Sequence, residues 1–281
     1  MVRRIVRIAL ISLMAVLFTG IRGMSQEVRI WKLNGVDRQA LIFKPAGSSF
    51  SNGALPPVVF AFHGHGGNMR QASRSFAYQD EWPQAVVVYM QGLPTPGALT
   101  DPAGLKNGWQ ARKGDELDRD LKFFDTVLNS LTVEKSIDPA RVFVTGHSNG
   151  GGFTYLLWAN RAPKIRAFAP VSAIGNKEFA AASSVPKPVI HIMGYADPLV
   201  RPRWQEITIG VDVQINGVAK SGCSWENAGD IKTTLYRSDK STPVVVGVHP
   251  GGHVFPRGAS TLIVKFFQMV DMKTGQISGS L

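Results

Sequence analysis

The stretch Arg141-Val142-Phe143-Val144-Thr145-Gly146-His147-Ser148-Asn149-Gly150-Gly151 decides how this chain of 281 residues is read. Its first five residues, rich in β-branched and aromatic types, have the composition of a short strand. The segment from Gly151 to Asn160 is helix-like. A serine with a glycine two residues to either side, between a strand and a helix, is the sequence form of a nucleophile elbow. The chemistry accounts for the spacing. The serine has to stand on a very tight turn so that its hydroxyl clears the top of the sheet. Side chains at the flanking positions would collide with the adjoining strand and helix, and glycine has none. The pentapeptide alone also arises by chance, so its surroundings have to support it.

Working outward, residues 28–33 and 36–44 are strand-like and are joined by Asn34-Gly35, a strong type I′ hairpin signal. Val58-Val59-Phe60-Ala61-Phe62 is a continuous apolar run of the kind that forms a strand buried on both faces, and 85–90 is a second. Residues 91–115, rich in Gly and Pro, read as a long loop, a class that is usually functional or mobile. Leu121, Phe124, Val127, Leu128 and Leu131 have helical spacing. Asp118 and Asp120 read as first-turn acids that favour the dipole of that helix. Runs at 166–170, 189–193 and 244–248 complete a series of short strands, and a last helix is expected over 260–272.

A hairpin followed by alternating strands and helices predicts an α/β fold: a mostly parallel twisted sheet with helices on both faces and an N-terminal antiparallel hairpin. In such sheets the reactive groups gather beyond the carboxyl ends of the strands. Ser148 is expected there, and so are its partners.

A serine nucleophile needs a base, and the base needs an acid to fix its tautomer. Of six histidines, His147 lies inside the elbow and points away from the serine, and His191 sits mid-strand as a core residue. His249 and His253 both follow the last strand, in His249-Pro250-Gly251-Gly252-His253. His253 is favoured, because the paired glycines let its loop bend over the sheet top while His249 is held at the strand end beside a proline. The acid is expected between serine and histidine in chain order. Asp197 stands just after the strand at 189–193, ahead of Pro198, where it could also be a helix N-cap; Asp212 and Asp230 are rivals farther from strand ends.

The tetrahedral intermediate needs backbone donors. One is expected from Asn149, the residue after the nucleophile. The other is assigned to the backbone of His65, with Gly64 next, in His63-Gly64-His65-Gly66-Gly67. That loop resembles the His-Gly-rich oxyanion motif of esterases. A zinc site on His-x-His is the competing reading, but no further ligand cluster accompanies it, so neither metal nor cofactor is expected. Trp109 and Phe255 are candidates to wall a substrate pocket, or are packing residues.

At 44% hydrophobic, the chain can bury one sizeable core. Arg3, Arg4 and Arg7 precede an apolar run over 8–18 and small residues at Gly20, Gly23 and Ser25. This is the layout of a signal peptide, so residues 1–25 are expected to be removed and 26–281 to form a single catalytic domain in a secreted protein. The apolar run is short of the ~20 residues of a membrane span, an uncleaved anchor being the alternative. Without the four arginines of residues 1–25, 27 basic side chains face 20 acidic ones, about +7. They are scattered, with no basic groove interleaved with aromatics, and nucleic acid is not an expected partner. Cys223 is the only cysteine, so no intramolecular disulfide can form.

Taken together, these motifs resemble the secreted polyhydroxybutyrate depolymerase and feruloyl/acetylxylan esterase family, carbohydrate esterase family one and its relatives. The resemblance rests on His63–Gly67, Asp138-Pro139-Ala140-Arg141-Val142, Gly146–Gly151, Asp197-Pro198-Leu199-Val200 and Gly251-Gly252-His253-Val254-Phe255-Pro256, which span nearly the whole mature chain. It implies an α/β-hydrolase fold with Ser148, Asp197 and His253 as a triad. Many members carry cysteine where His65 stands and pair it in a disulfide. That bridge is absent here, and another loop anchor is needed. Phe255 stands where tryptophan is frequent. The chain ends soon after its last helix, which argues against efficient work on crystalline polyester.

The expectation is a secreted, monomeric serine esterase acting through an acyl-enzyme. Its substrates would be small-molecule or polysaccharide-linked: feruloyl or acetyl esters of plant polysaccharide, or soluble hydroxyalkanoate oligomers. An imidazole base has to be neutral, so activity should fall below the ordinary histidine pKa of about 6.5. A serine peptidase of the same fold and a catalytically silent carbohydrate-binding or adhesion protein are the rival readings.

Overall fold

Asn34 and Gly35 take positive φ angles of 49° and 81°, the backbone that a two-residue type I′ turn requires. They fold the start of the chain into a hairpin of β1 (Ser25–Leu33) and β2 (Val36–Lys44), with Leu33 opposite Val36. The computed structural model describes residues 24–45, 53–182 and 185–275. All but the last two residues of the expected signal peptide, 1–25, lie outside them. Among the described residues no helix is long and apolar enough to cross a membrane.

The chain continues through β3 (Val58–Phe62), α1 (Met69–Phe76), α2 (Tyr78–Glu81) and β4 (Val86–Met90). Two short strands, β5 (Leu93–Pro94) and β6 (Asn107–Gly108), pair across the long loop, and α3 (Arg119–Val133) follows. Next come β7 (Val142–His147), α4 (Asn149–Arg161), β8 (Ala167–Val171), α5 (Lys177–Ala182), β9 (Val189–Gly194) and α6 (Pro202–Asn216). The last elements are β10 (Cys223–Ser224), β11 (Lys232–Tyr236), β12 (Val244–His249) and α7 (Ala259–Gly275).

Ten strands form one sheet in the order β1-β2-β4-β3-β7-β8-β9-β12-β11-β10. The six central strands, β4 to β12 in that order, are parallel; the two at each end are antiparallel. The continuous apolar runs are explained by the layers. On β3, Val58, Phe60 and Phe62 face the core under α3, α4 and α5, while Val59 and Ala61 face the core under α1, α2 and α7. A strand covered on both faces has no polar side. The mostly parallel sheet with helices on both faces and the N-terminal hairpin are thus as expected from the sequence.

Two further elements stand out. Residues 202–216 form a long helix, α6, and 232–236 form β11, which extends the sheet beyond β12. Both lie where the sequence shows no motif.

Candidate active site

The elbow is built by strain and close approach. Ser148 sits between β7 and α4 at φ 55° and ψ −120°, a conformation unfavourable for a residue with a Cβ. A Cβ on Gly146 would lie 2.3 Å from the carbonyl oxygen of Gly150, and one on Gly150 would lie 2.3 Å from that of Phe62 on β3. No side chain fits at either position. The turn is fastened to the neighbouring strand by the N–H of Ser148, which donates to the Val171 carbonyl at 2.9 Å.

Two loops at the carboxyl ends of β9 and β12 bring the partners. His253 Nε2 lies 2.7 Å from Ser148 Oγ, and His253 Nδ1 lies 2.8 Å from Asp197 Oδ2. Asp197 is 2% exposed. Its Oδ1 accepts from the N–H groups of Leu199 and Val200, each at 2.9 Å, so the carboxylate is also the cap of the following turn. Neither rival acid is bonded to His253 among the described residues. Asp212 is buried on α6 and Asp230 is exposed. His249 is buried, its Nδ1 accepting from Gly251 N–H at 3.2 Å, and so it shapes the turn that carries His253. His147 packs beside the base, ring centroids 5.1 Å apart, and burial lowers it to about 4.

The His63–Gly67 loop lies over the elbow: a Cβ on Gly64 would come within 3.6 Å of Ser148 Cβ. Its own N–H groups are partly used. Gly66 donates to the Asn107 carbonyl at 2.7 Å and Gly67 to the Gly64 carbonyl at 3.0 Å. That leaves the N–H groups of Gly64 and His65 as the candidates on this side. Asn149, as the first residue of α4, has an N–H without an acceptor inside the helix.

The two loop histidines do separate work. His63 is buried, with Nδ1 donating to the Gly64 carbonyl at 2.8 Å and Nε2 accepting from Gly92 N–H at 3.0 Å. These bonds fix one neutral tautomer, and burial lowers its pKa to about 4. His65 sends its ring the other way, between Gly97 and Gly108, where Nε2 meets Asp101 Oδ2 at 3.1 Å. Asp101 also accepts from Lys106 N–H at 2.8 Å; that bond, with the His65 bond behind it, holds its carboxyl below the usual range. The His65–Asp101 pair ties the His63–Gly67 loop to the segment between β5 and β6.

The expected pocket residues part company. Phe255 lines an open cavity of about 760 Å³ above Ser148, with Phe76, Leu99, Ile174, Trp204 and Val254. Phe255 and Phe76 pack with ring centroids 4.2 Å apart. Trp109 does not reach the cavity. It is fully buried, its Nε1 donating to the His63 carbonyl at 2.9 Å and its ring stacked on Phe153. Its backbone is clasped by Asn149, whose side chain accepts from Trp109 N–H at 2.7 Å and donates to Trp109 carbonyl at 3.1 Å. Asp120 is more than a first-turn acid. It forms a buried ion pair with Arg38 at 2.7 Å and accepts from Gln110 N–H at 2.8 Å, which ties this loop to the core. No group of metal-ligating side chains converges among the described residues.

No family model matches the chain. Feruloyl esterase D of Neurospora crassa is 30% identical over 145 residues, 50% of this chain and 47% of that protein. The chain thus spans about half the length of that relative. Feruloyl esterase C of Emericella nidulans is 26% identical over 204 residues, 70% of this chain and 69% of that protein. Among solved structures, an acetyl xylan esterase from Aspergillus awamori superposes with a TM-score of 0.67 at 15% identity. The match covers 86% of this chain and 99% of that one.

Proposed function

We propose that this chain is a serine esterase of the feruloyl and acetylxylan esterase kind, with Ser148 as its nucleophile, a reading supported by its similarity to feruloyl esterases and by a fold shared with an acetyl xylan esterase. The observation that carries the reading is the unbroken line Ser148–His253–Asp197, on a strained turn at the floor of an open cavity. His253 Nε2 takes the hydroxyl proton as Ser148 Oγ attacks the ester carbonyl carbon. Asp197 holds the imidazole in the tautomer that leaves Nε2 free to accept, and stabilises the imidazolium that forms. The N–H of Asn149 and one from the Gly64–His65 segment meet the developing oxyanion. The proton on Nε2 passes to the leaving alcohol. Water, deprotonated by the same nitrogen, then attacks the acyl carbon, and as the Ser148 Oγ–acyl bond breaks Nε2 returns that proton to Oγ and the acid is freed.

The cavity supports a bulky acyl group over acetyl. Its walls are mainly apolar, with Gln110, Arg112 and Asn176 among the polar residues, and its volume is that of a site for a drug-sized ligand rather than for two carbons. A hydroxycinnamoyl ester of plant polysaccharide fits that description, as does a soluble hydroxyalkanoate oligomer. The reading takes the enzyme to be exported, with its leader removed, and to act as a monomer. Its test is hydrolysis of methyl ferulate beside p-nitrophenyl esters of increasing acyl length, with the wild type and Ser148→Ala. Aryl-acyl turnover that vanishes in the variant is expected. Undiminished turnover by Ser148→Ala would contradict the assignment.

A further inference from the structure

Behind Asp197 runs a chain of polar side chains that none of these steps uses. Gln205 of α6 is fully buried; its Nε2 is 3.3 Å from Asp197 Oδ2 and 2.7 Å from the Val200 carbonyl. Its Oε1 is 3.2 Å from Nε2 of His191 on β9. His191 Nδ1 is 2.7 Å from the hydroxyl of Tyr155 on α4, which in turn is 2.9 Å from Asp212 Oδ2. Tyr155, His191 and Asp212 are buried as well. The second oxygen of Asp212, Oδ1, has no hydrogen-bond partner among the described residues.

The direction of each bond follows by elimination. Two acceptors, the Asp197 carboxylate and the Val200 carbonyl, face one end of the Gln205 side chain. That end is therefore its NH₂, and the other is its carbonyl. The carbonyl accepts only if His191 carries a proton on Nε2. A neutral imidazole then offers Nδ1 as an acceptor, and the Tyr155 hydroxyl donates to it. With its one proton used, the phenol oxygen accepts from Asp212, which must be a carboxylic acid. The alternative is an imidazolium at His191 and a carboxylate at Asp212. It would bury two charges and leave one carboxylate oxygen bare, a costly arrangement. Burial also pushes Asp212 well up and His191 down to about 4, favouring the neutral distribution. The titratable groups that face Asp212 are Tyr155 from α4 and, through it, His191 from β9. None is recorded against it from β12, the other strand that α6 packs on.

We propose that Gln205 is a positioning residue that holds the Asp197 carboxylate against His253, and that Asp212, Tyr155 and His191 fix the direction of its amide, Asp212 ending the chain as a carboxylic acid. The kinetic side of this rests on the serine-esterase reading; the protonation of Asp212 does not. Asp197 is then gripped by three protein N–H donors besides His253, two from its own turn and one from α6.

The experiment has two arms. Gln205→Leu and Gln205→Met remove the donor at similar volume. In either, kcat should fall about tenfold with KM within about twofold, the loss expected for one hydrogen bond to a charged group. The acid limb of the pH profile should move to higher pH, because a carboxylate with one donor fewer holds the imidazolium more tightly. Wild-type kcat and an unmoved limb in a folded variant would overturn the positioning role. A wild type without ester turnover would instead count against the esterase reading. The second arm compares unfolding of the wild type and Asp212→Asn from pH 5 to 7.5. A carboxyl that keeps its proton only when folded makes the wild type lose stability, relative to Asp212→Asn, as pH rises above the unfolded Asp pKa of about 3.9. The ratio of their unfolding constants should grow by up to about tenfold per pH unit. A ratio independent of pH would overturn the assignment of the proton to Asp212.

Discussion

The molecule contains two sets of hydroxyl, imidazole and carboxyl, and they are put together differently. In Ser148–His253–Asp197 the imidazole is the middle member and the hydroxyl opens onto a cavity. In His191–Tyr155–Asp212 the hydroxyl is the middle member and all three groups are sealed in the core. The first order lets one ring nitrogen collect a proton from an alcohol while the other stays on its acid. The second order satisfies every proton internally and has no outlet. Residue types are nearly the same in both; order and access separate a reactive set from a structural one.

The comparison can be broken most severely at the reactive end. Ser148→Ala should lower kcat on esters by about five orders of magnitude or more, the scale seen when a triad nucleophile is removed. Asp197→Asn should cost about 10³- to 10⁴-fold in kcat, through loss of the correct imidazole tautomer, with the fold intact. The sealed set should answer in the opposite way. Tyr155→Phe should change kcat by less than about tenfold but lower stability by about 1–3 kcal/mol, since it strands two buried partners. Steady-state kinetics and denaturant titration on the same preparations read both effects. A large kinetic loss without destabilisation in Tyr155→Phe would erase the distinction.

Much of the reactive set could be read from sequence, and little of the sealed one. The elbow, the two late loops and the apolar strands have patterns tied directly to backbone requirements: glycines where atoms crowd, and continuous apolar runs where both faces are covered. The helix α6 hid for a physical reason. Its buried stripe is Gln205, Thr208, Asp212 and Asn216, polar residues at helical spacing. Its apolar residues, Ile207, Ile209, Val211, Val213 and Ile215, alternate with the period of a strand. Hydrophobic periodicity therefore pointed away from the helix. Sequence leaves Trp109 open between pocket wall and packing residue, and the clasp by Asn149 with the bond to His63 turns it inward. The partner of His65, Asp101, is 36 residues away in an irregular segment, and no local signal marks it.

Two smaller effects sharpen the same contrast. His63, His147 and His191 are held neutral by burial, each at about 4 against an ordinary 6.5. A pKa depressed on folding contributes stability that is present above the unfolded value and is lost as pH falls toward the folded one. Thermal unfolding should therefore show Tm dropping between about pH 6.5 and 4, in the direction opposite to the Asp212 contribution. A Tm flat across that window would contradict the burial of these rings. Asp101→Asn weakens the pair that pins the His63–Gly67 loop, proposed to supply an oxyanion donor, without touching the reacting atoms. A loss of a few-fold to about tenfold in kcat/KM is expected, most of it in kcat, since the loop is mispositioned for the transition state. Unchanged kinetics would mean that the bonds between Asn107 and the Gly66–Gly67 backbone hold the loop without it.

The central claim is that Ser148 is the group that becomes acylated. Treating the folded protein with a fluorophosphonate and mapping the adduct by peptide mass spectrometry tests it most directly. The expected result is a single stoichiometric adduct on Ser148, slowed by orders of magnitude when His253 is replaced by Ala. An adduct on another residue, or a folded protein that takes up no reagent, would contradict it.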